Sequence, residues 1–456
     1  MRTLFSNPLR IFATVPLLLL VCTTALAKDR TDDCRIGIYR LNDGSDVDIG
    51  ATDGDHLRWR KEDGTTGALT KTSGDIWSST LGWTEKPDGK RVSFDCGKGT
   101  IAFAGVAGKR IPLEVTNTTF EGAGVKLAGR LILPQGNARV PIVVLVHGSE
   151  DFSARDFYSL QRQFPAEGIG AFVYDKRGTG KSGGIYTQNY LLLADDAIAA
   201  MNEAKRLART RAGRAGYQGG SQAGWVIPLA AKIEPVDFAI IGYGLAVSPL
   251  DEDREAVALD LTDHGFGKDA MAKAREITDA VAAIIISGFR DGYKQFDAVK
   301  AKYAREPWFK YVHGDITFFF LQNPEAKLRE QGPVLLAGVP ANHDPMPVLR
   351  NLDTPQLWIL AADDHEAPSA ETARRLRSLQ AQGKPITLAI FPRTEHGIYE
   401  YETKADGTRV DTRNPDGYFR MMRDFILRGR VDKQSYGTAT ISWPAPVPNA
   451  NSRSAH

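Results

Sequence analysis

The sequence predicts an α/β protein: a doubly wound, mostly parallel sheet with a helical cap insertion, preceded by a small antiparallel β domain. Three observations predict it. Residues 141–146 and 169–174 are continuous aliphatic runs, apolar on both faces as buried parallel strands are, with a helix-compatible stretch at 155–166 between them. Downstream, helical periodicity over 191–207 is followed by short aliphatic runs at 238–242, 356–361 and 386–391, and such alternation is the pattern of a doubly wound sheet. Before residue 110 the punctuation differs. Asp43-Gly44, Asp53-Gly54, Asp63-Gly64 and Asp88-Gly89 separate short runs, as in an antiparallel meander whose turns need positive φ, with Trp59, Trp77 and Trp83 available to cover one face.

The elements follow in order. Arg2 and Arg10 precede the apolar run 11–21 and the small-residue stretch Thr23-Thr24-Ala25-Leu26-Ala27, which reads as a signal peptide over 1–27 cleaved after Ala27. The run falls short of the roughly 20 residues that span hydrocarbon, and Val21 stands where a lipidation site at Cys22 would have a small residue. A periplasmic or secreted protein is expected, with no stable membrane span. Removal of the leader leaves Cys34 and Cys96, an even pair in an oxidising compartment, so a disulfide is expected; closing a loop of about 60 residues contributes ~4 kcal/mol on the chain-entropy model. The β domain covers 28–110, the first part of the α/β core 111–245, the helical cap 246–345 and the second part of the core 346–436. The cap segment reads as helices, for example over 269–286 and 297–305, and its aromatics, among them Phe289, Tyr293, Phe296 and Trp308, are expected to form mostly its own core. Residues 437–456, rich in Pro, Asn and Ser, are expected to be disordered.

Composition narrows the function classes. At 456 residues the chain exceeds a single core, and 42% hydrophobic with 25% charged residues is ordinary globular usage. The 57 basic and 55 acidic side chains give a net charge of +2 with no basic block, which excludes a nucleic-acid partner. No Cys/His cluster or His-Glu-x-x-His occurs, so neither a metal nor a cofactor is expected. Gly178-Thr179-Gly180-Lys181-Ser182 imitates the end of a phosphate-binding loop, but Asp175 stands where that pattern needs glycine. The stretch reads as a turn after a strand.

The chemistry concentrates at Gly219-Gly220-Ser221-Gln222-Ala223-Gly224. A serine becomes a nucleophile when it is exposed on a sharp strand-to-helix turn beside a base, and the crowding there demands small neighbours, which Gly219, Ala223 and Gly224 supply. With Val143-Val144-Leu145-Val146-His147-Gly148-Ser149 upstream, the sequence over about 111–430 resembles the α/β-hydrolase family, whose pattern is Gly-x-Ser-x-Gly; Ala223 departs from it by one methyl. The resemblance implies Ser221 as nucleophile and an oxyanion hole from the backbone N–H groups of Gln222 and Ser149. Family order places an acid and then a histidine after the serine. Of eight histidines, His396, in Phe391-Pro392-Arg393-Thr394-Glu395-His396-Gly397, fits that place. For the acid, Asp363, Asp364 and Glu366 compete; adjacent side chains in an extended stretch point to opposite sides, and Asp364 in Asp364-His365-Glu366-Ala367-Pro368 resembles the family's acid loop, where a proline follows the acid by four. Glu150 and Asp151 stand where a glycine-rich continuation is common, either facing solvent or recognising a cationic part of a substrate. The resemblance implies hydrolysis of a carboxylic ester, on a small-molecule or short-peptide substrate with an acyl group. A peptidase similar to serine aminopeptidases is the alternative, and a non-catalytic binding protein on the same fold a third; oligomeric state is not legible.

Overall fold

The computed structural model describes residues 33–52, 54–432 and 435–444, so the expected signal peptide lies outside the described residues. Eight strands, β1 (Gly37–Leu41), β2 (Asp46–Ala51), β3 (Leu57–Lys61), β4 (Thr66–Ser73), β5 (Ile76–Leu81), β6 (Pro87–Asp95), β7 (Thr100–Phe103) and β8 (Val106–Arg110), form an antiparallel sheet. The expected meander is a closed barrel, because β8 returns to pair with β1, Tyr39 opposite Arg110. Trp59 and Trp77 fill its interior with Val47, Ile49 and Leu69. Trp83 does not join them: it faces the rest of the molecule, its ring 4.6 Å from that of Tyr399.

The Asp-Gly turns differ from the expectation in one physical detail. Only the glycine takes positive φ, +86° at both Gly44 and Gly64. The aspartate instead accepts a hydrogen bond from the N–H two residues on, at 2.9 Å for Asp43 with Ser45 and for Asp63 with Thr65. Asp88-Gly89 lies inside β6, where the pairing with β5 shifts register. Cys34 and Cys96 form a disulfide.

The second sheet comprises β9 (Leu113–Glu121), β10 (Lys126–Pro134), β11 (Val140–Val146), β12 (Gly170–Tyr174), β13 (Ala212–Gly220), β14 (Phe238–Gly242), β15 (Gln356–Ala361), β16 (Ile386–Phe391) and, at the far edge, a short strand at Thr440–Ser442. Its spatial order is 440–442, β16, β15, β14, β13, β11, β12, β10, β9, with β12, β11 and β13 to β16 mutually parallel and the outer strands antiparallel. The 440–442 strand, paired with β16, corrects the expectation of disorder from 437 onward for residues 437–444. Residues 445–456 lie outside the described residues.

Strands buried on both faces explain the continuous aliphatic runs. Val144 and Val146 pack into one hydrophobic cluster, while Val143 and Leu145 point into the other. The expected helix at 155–166 divides into Ala154–Phe157 and Leu160–Ala166, and the expected helix at 297–305 runs over Tyr293–Tyr303. The cap helices, from Pro249–Asp263 to Glu325–Leu336, enclose their own core of Phe289, Phe296, Trp308 and Phe320. A three-stranded finger of β17 (Thr394–Glu395), β18 (Tyr399–Thr403) and β19 (Arg409–Arg413) follows β16 and reaches toward the barrel.

Candidate active site

Strand β12 lies on one side of β11 and β13 on the other, so the chain reverses its winding there and opens a crevice at the strands' carboxyl ends. Ser221 follows β13 at that point. Its φ is +55°, a left-handed conformation that a serine adopts only under local constraint, and its N–H is held by the Gly242 carbonyl at 3.0 Å. The small neighbours are accounted for one by one. A side chain at Gly219 would meet the Ala223 methyl at 2.5 Å, so the methyl that departs from the family pattern is accommodated because residue 219 is glycine. A side chain at Gly224 would meet the Leu245 backbone nitrogen at 2.8 Å. Directly after the serine the helix Ala223–Ile233 begins. The N–H of Gln222, ahead of its first turn, has no carbonyl to bond within the helix and is free to serve an anion.

His396 leads out of β17 and Asp364 follows β15, which brings both to the same edge of the sheet. Asp364 is buried and accepts from His396 Nδ1 at 3.0 and 3.2 Å, as well as from the backbone N–H of Ala367 at 2.7 Å and Glu366 at 3.1 Å. Asp363 turns the other way, its carboxylate taking the Tyr401 hydroxyl at 2.7 Å. Burial raises the Asp364 pKa, opposed by His396. For His396, burial lowers the pKa, but Glu366 and Asp364 outweigh it and raise it to about 9. Glu366 Oε1 lies 3.6 Å from His396 Nε2.

Several residues of this site carried no signal in the sequence. Tyr243, itself at φ +39°, packs against the elbow and the imidazole: a side chain at Gly220 would lie 2.3 Å from its hydroxyl, and its ring centroid is 4.7 Å from that of His396. Lys176, in the stretch read as a plain turn, is buried and donates to the Gly148 carbonyl at 2.9 Å. A trans peptide points its N–H opposite its C=O, so holding that carbonyl from below orients the Ser149 N–H on the other side. Burial pulls the Lys176 pKa down to about 8. A side chain at Gly148 would come within 3.6 Å of Ser221 Cβ, which places this turn against the serine. Ser149 itself is exposed, its carbonyl taken by the Tyr186 hydroxyl.

Glu150 does not face solvent: it is buried and bonded by the Tyr158 hydroxyl, while Asp151 is exposed. His147 is buried with its ring on the Tyr174 carbonyl, and burial lowers its pKa. Carboxyl groups of the cap lie within electrostatic reach of the Asp364–His396 pair. Glu252 and Asp315 of the cap are both raised well above the usual carboxylate range, first by burial and then by other carboxylates, Glu366 and Asp364 among them. The Gln222 side chain donates to Gln188 at 2.7 Å, and the Gln188 N–H in turn bonds the Ala337 carbonyl at the end of the last cap helix, so cap and elbow are joined by one chain of hydrogen bonds. Asp175 accepts from Ser153 at 2.7 Å and from the Lys181 N–H at 3.0 Å, which accounts for the 175–182 stretch as a structural turn.

The reversed sheet, the serine at positive φ between strand and helix, and the inserted helices define a capped α/β-hydrolase fold carrying an eight-stranded barrel at its N-terminus. No family model and no curated protein matches the chain. Among solved structures it is similar to an acylaminoacyl peptidase of Pyrococcus horikoshii, 16% identical over 86% of this chain and 57% of that one, with a TM-score of 0.43. It is also similar to an esterase of Pyrococcus furiosus, 15% identical over 62% and 85% of the two chains with a TM-score of 0.39. A Butyrivibrio proteoclasticus protein solved with ferulic acid bound is 15% identical over 68% and 97%, TM-score 0.39. The chain spans a little over half the length of the peptidase.

Proposed function

We propose that the chain is a serine hydrolase that cleaves a carboxylic ester through an acyl-enzyme. His396 Nε2 takes the proton of Ser221 as its Oγ attacks the ester carbonyl, and the N–H groups of Gln222 and Ser149 meet the negative oxygen of the tetrahedral intermediate. Asp364 holds the imidazole tautomer and stabilises the imidazolium. The imidazolium then protonates the leaving alcohol, and water activated by the same ring hydrolyses the acyl-enzyme. The observation that carries this reading is the coincidence of a left-handed Ser221 at the end of β13 with a buried Asp364 paired with His396 on the same sheet edge.

The second reading is a peptidase for substrates bearing a free amine. Glu252, Asp315 and Glu366 favour it, since their mutual electrostatic coupling gathers carboxyl groups where a cationic group would relieve their repulsion. We also read the mature protein as exported and beginning at Lys28; the Cys34–Cys96 disulfide is compatible with that, and among the described residues no helix is long and apolar enough to cross a membrane. One experiment tests these readings together. The purified protein is treated with a fluorophosphonate, weighed intact, and assayed on p-nitrophenyl esters beside aminoacyl p-nitroanilides. A single adduct on Ser221 of a chain starting at Lys28, with turnover of the esters, is expected. No adduct on Ser221 ends the serine-hydrolase reading, and turnover of the anilides alone selects the peptidase.

A further inference from the structure

The barrel contributes none of the catalytic groups, yet its turns grip the segment that carries His396. The loop after that histidine is strained. Gly397 has φ +81° and Ile398 has φ +56°, a conformation that a β-branched side chain adopts only where its surroundings over-determine it. What holds it is Asn414, just past the finger's last strand. Its side-chain amide donates to the carbonyls of Gly397 at 3.0 Å and Ile398 at 2.8 Å. Asn414 is held in turn by the barrel: its backbone N–H donates to the Gly64 carbonyl in the β3–β4 turn at 3.1 Å. The approach there is so close that a Cβ on Gly64 would stand 2.1 Å from the Asn414 carbonyl oxygen.

A second barrel turn grips the same finger. The Trp83 N–H donates to the Asp411 carbonyl at 3.0 Å, and a Cβ on Gly82 would stand 2.2 Å from the Thr412 carbonyl oxygen. The Trp83 ring lies on Tyr399, three residues after His396, and carries the Arg58 guanidinium 4.0 Å from its centroid.

We propose that the N-terminal barrel positions His396, and that Asn414 is the positioning residue through which it does so. This rests on His396 being the general base, as proposed above. A base misplaced by a fraction of an ångström loses rate without losing substrate affinity, so the signature is a fall in kcat at constant KM.

The barrel supplies its own control. Gly44 and Gly64 occupy equivalent Asp-Gly turns with the same φ of +86°, but a Cβ on Gly44 would meet nothing within 4 Å. Alanine at either site carries the same backbone strain, and only Gly64→Ala presses on Asn414. The test compares Gly44→Ala, Gly64→Ala, Asn414→Ala, the Gly64→Ala/Asn414→Ala double variant and His396→Ala in the full-length mature protein, with kcat, KM, the pH profile of kcat/KM and thermal midpoints measured. Gly64→Ala and Asn414→Ala are expected to lower kcat at least tenfold with KM within twofold. The acid limb of their profiles should move to lower pH as the imidazole leaves its carboxylates. Gly44→Ala should stay within twofold of wild type, and the double variant should be no slower than Asn414→Ala alone. Equal losses in Gly44→Ala and Gly64→Ala, or full kcat in Asn414→Ala, overturn the proposal. If His396→Ala keeps its activity, the assignment of the base has failed instead, which separates the two ideas.

Discussion

Replacing Glu366 with glutamine is expected to raise activity at neutral pH. Its Oε1 lies 3.6 Å from His396 Nε2, the nitrogen that takes the serine proton in the proposed mechanism. The ring also faces Asp364 on Nδ1 and the Tyr243 ring on its flank. With these carboxylates holding its pKa at about 9, the ring is in its charged form, unable to accept a proton, in all but roughly one molecule in a hundred at pH 7. A unit charge at the 3.6 Å separation contributes ~1 kcal/mol in bulk water and ~5 kcal/mol at an effective dielectric of about 20. The Glu366 side chain is 43% exposed, so solvent screening selects the lower figure, equivalent to a shift of ~0.8 pKa units. The neutral fraction at pH 7, and with it kcat/KM for an uncharged ester, then rises about sixfold. The assay is the pH profile of kcat/KM from pH 6 to about 10.5, more than a unit above the wild-type value: the acid limb should move down by that amount while the high-pH plateau stays within twofold. An acid limb that does not move, with the plateau intact, refutes the electrostatic reasoning.

Two further predictions concern how the parts are held together. Asp48 of β2 and Arg162 form a bidentate buried ion pair between barrel and core, one contact at 2.9 Å; Asp48→Asn leaves the guanidinium buried without its charge partner and should cost ~3 kcal/mol, read as a lowered urea midpoint, whereas Asp46→Asn at the exposed Arg40 pair should cost under ~1 kcal/mol. Equal costs would refute that distinction. His365 ties the acid loop to the cap, with Nε2 2.6 Å from Asp263 and Nδ1 3.0 Å from Glu395; Glu395 first, then Asp263, raise its pKa to about 9 against burial and Arg409. Because that value lies above the unfolded-state value of about 6.5, the stabilisation is complete below about pH 6.5 and is lost as pH rises through about 9. The difference in thermal midpoint between wild type and His365→Gln should therefore shrink across that window, and a difference independent of pH rules the latch out.

What could be read from the sequence shares one property: it is decided within a few residues of chain. The elbow shows because the bulk of residues 219, 223 and 224 is a contiguous steric requirement, and the parallel strands show because a run buried on both faces must be apolar throughout. Order along the chain points to His396 and to an acid after β15, and the acid-loop resemblance favours Asp364 over Asp363 and Glu366; the partners that set the two aspartates apart, Tyr401 for Asp363 and His396 for Asp364, lie more than 30 residues away. The remainder depends on which segments meet. Asp-Gly spacing describes hairpins equally well in an open meander and a closed barrel, and only the return of β8 to β1 separates the two. Lys176 works on a peptide 28 residues upstream, and Glu150, conspicuous beside the oxyanion turn, finds its partner in Tyr158, eight residues on. Trp83 shows why composition alone misassigns a role. It is as aromatic as Trp59 and Trp77, but it lies in the turn leading into β6, where alternation no longer aims a side chain into the barrel, and that outward aim is what lets it pack on Tyr399. That departure from the barrel's own core pattern adds a second grip on the finger to the one Gly64 has on Asn414. The strained Ile398 backbone points to the same conclusion, since such a conformation persists only where contacts from another part of the chain hold it.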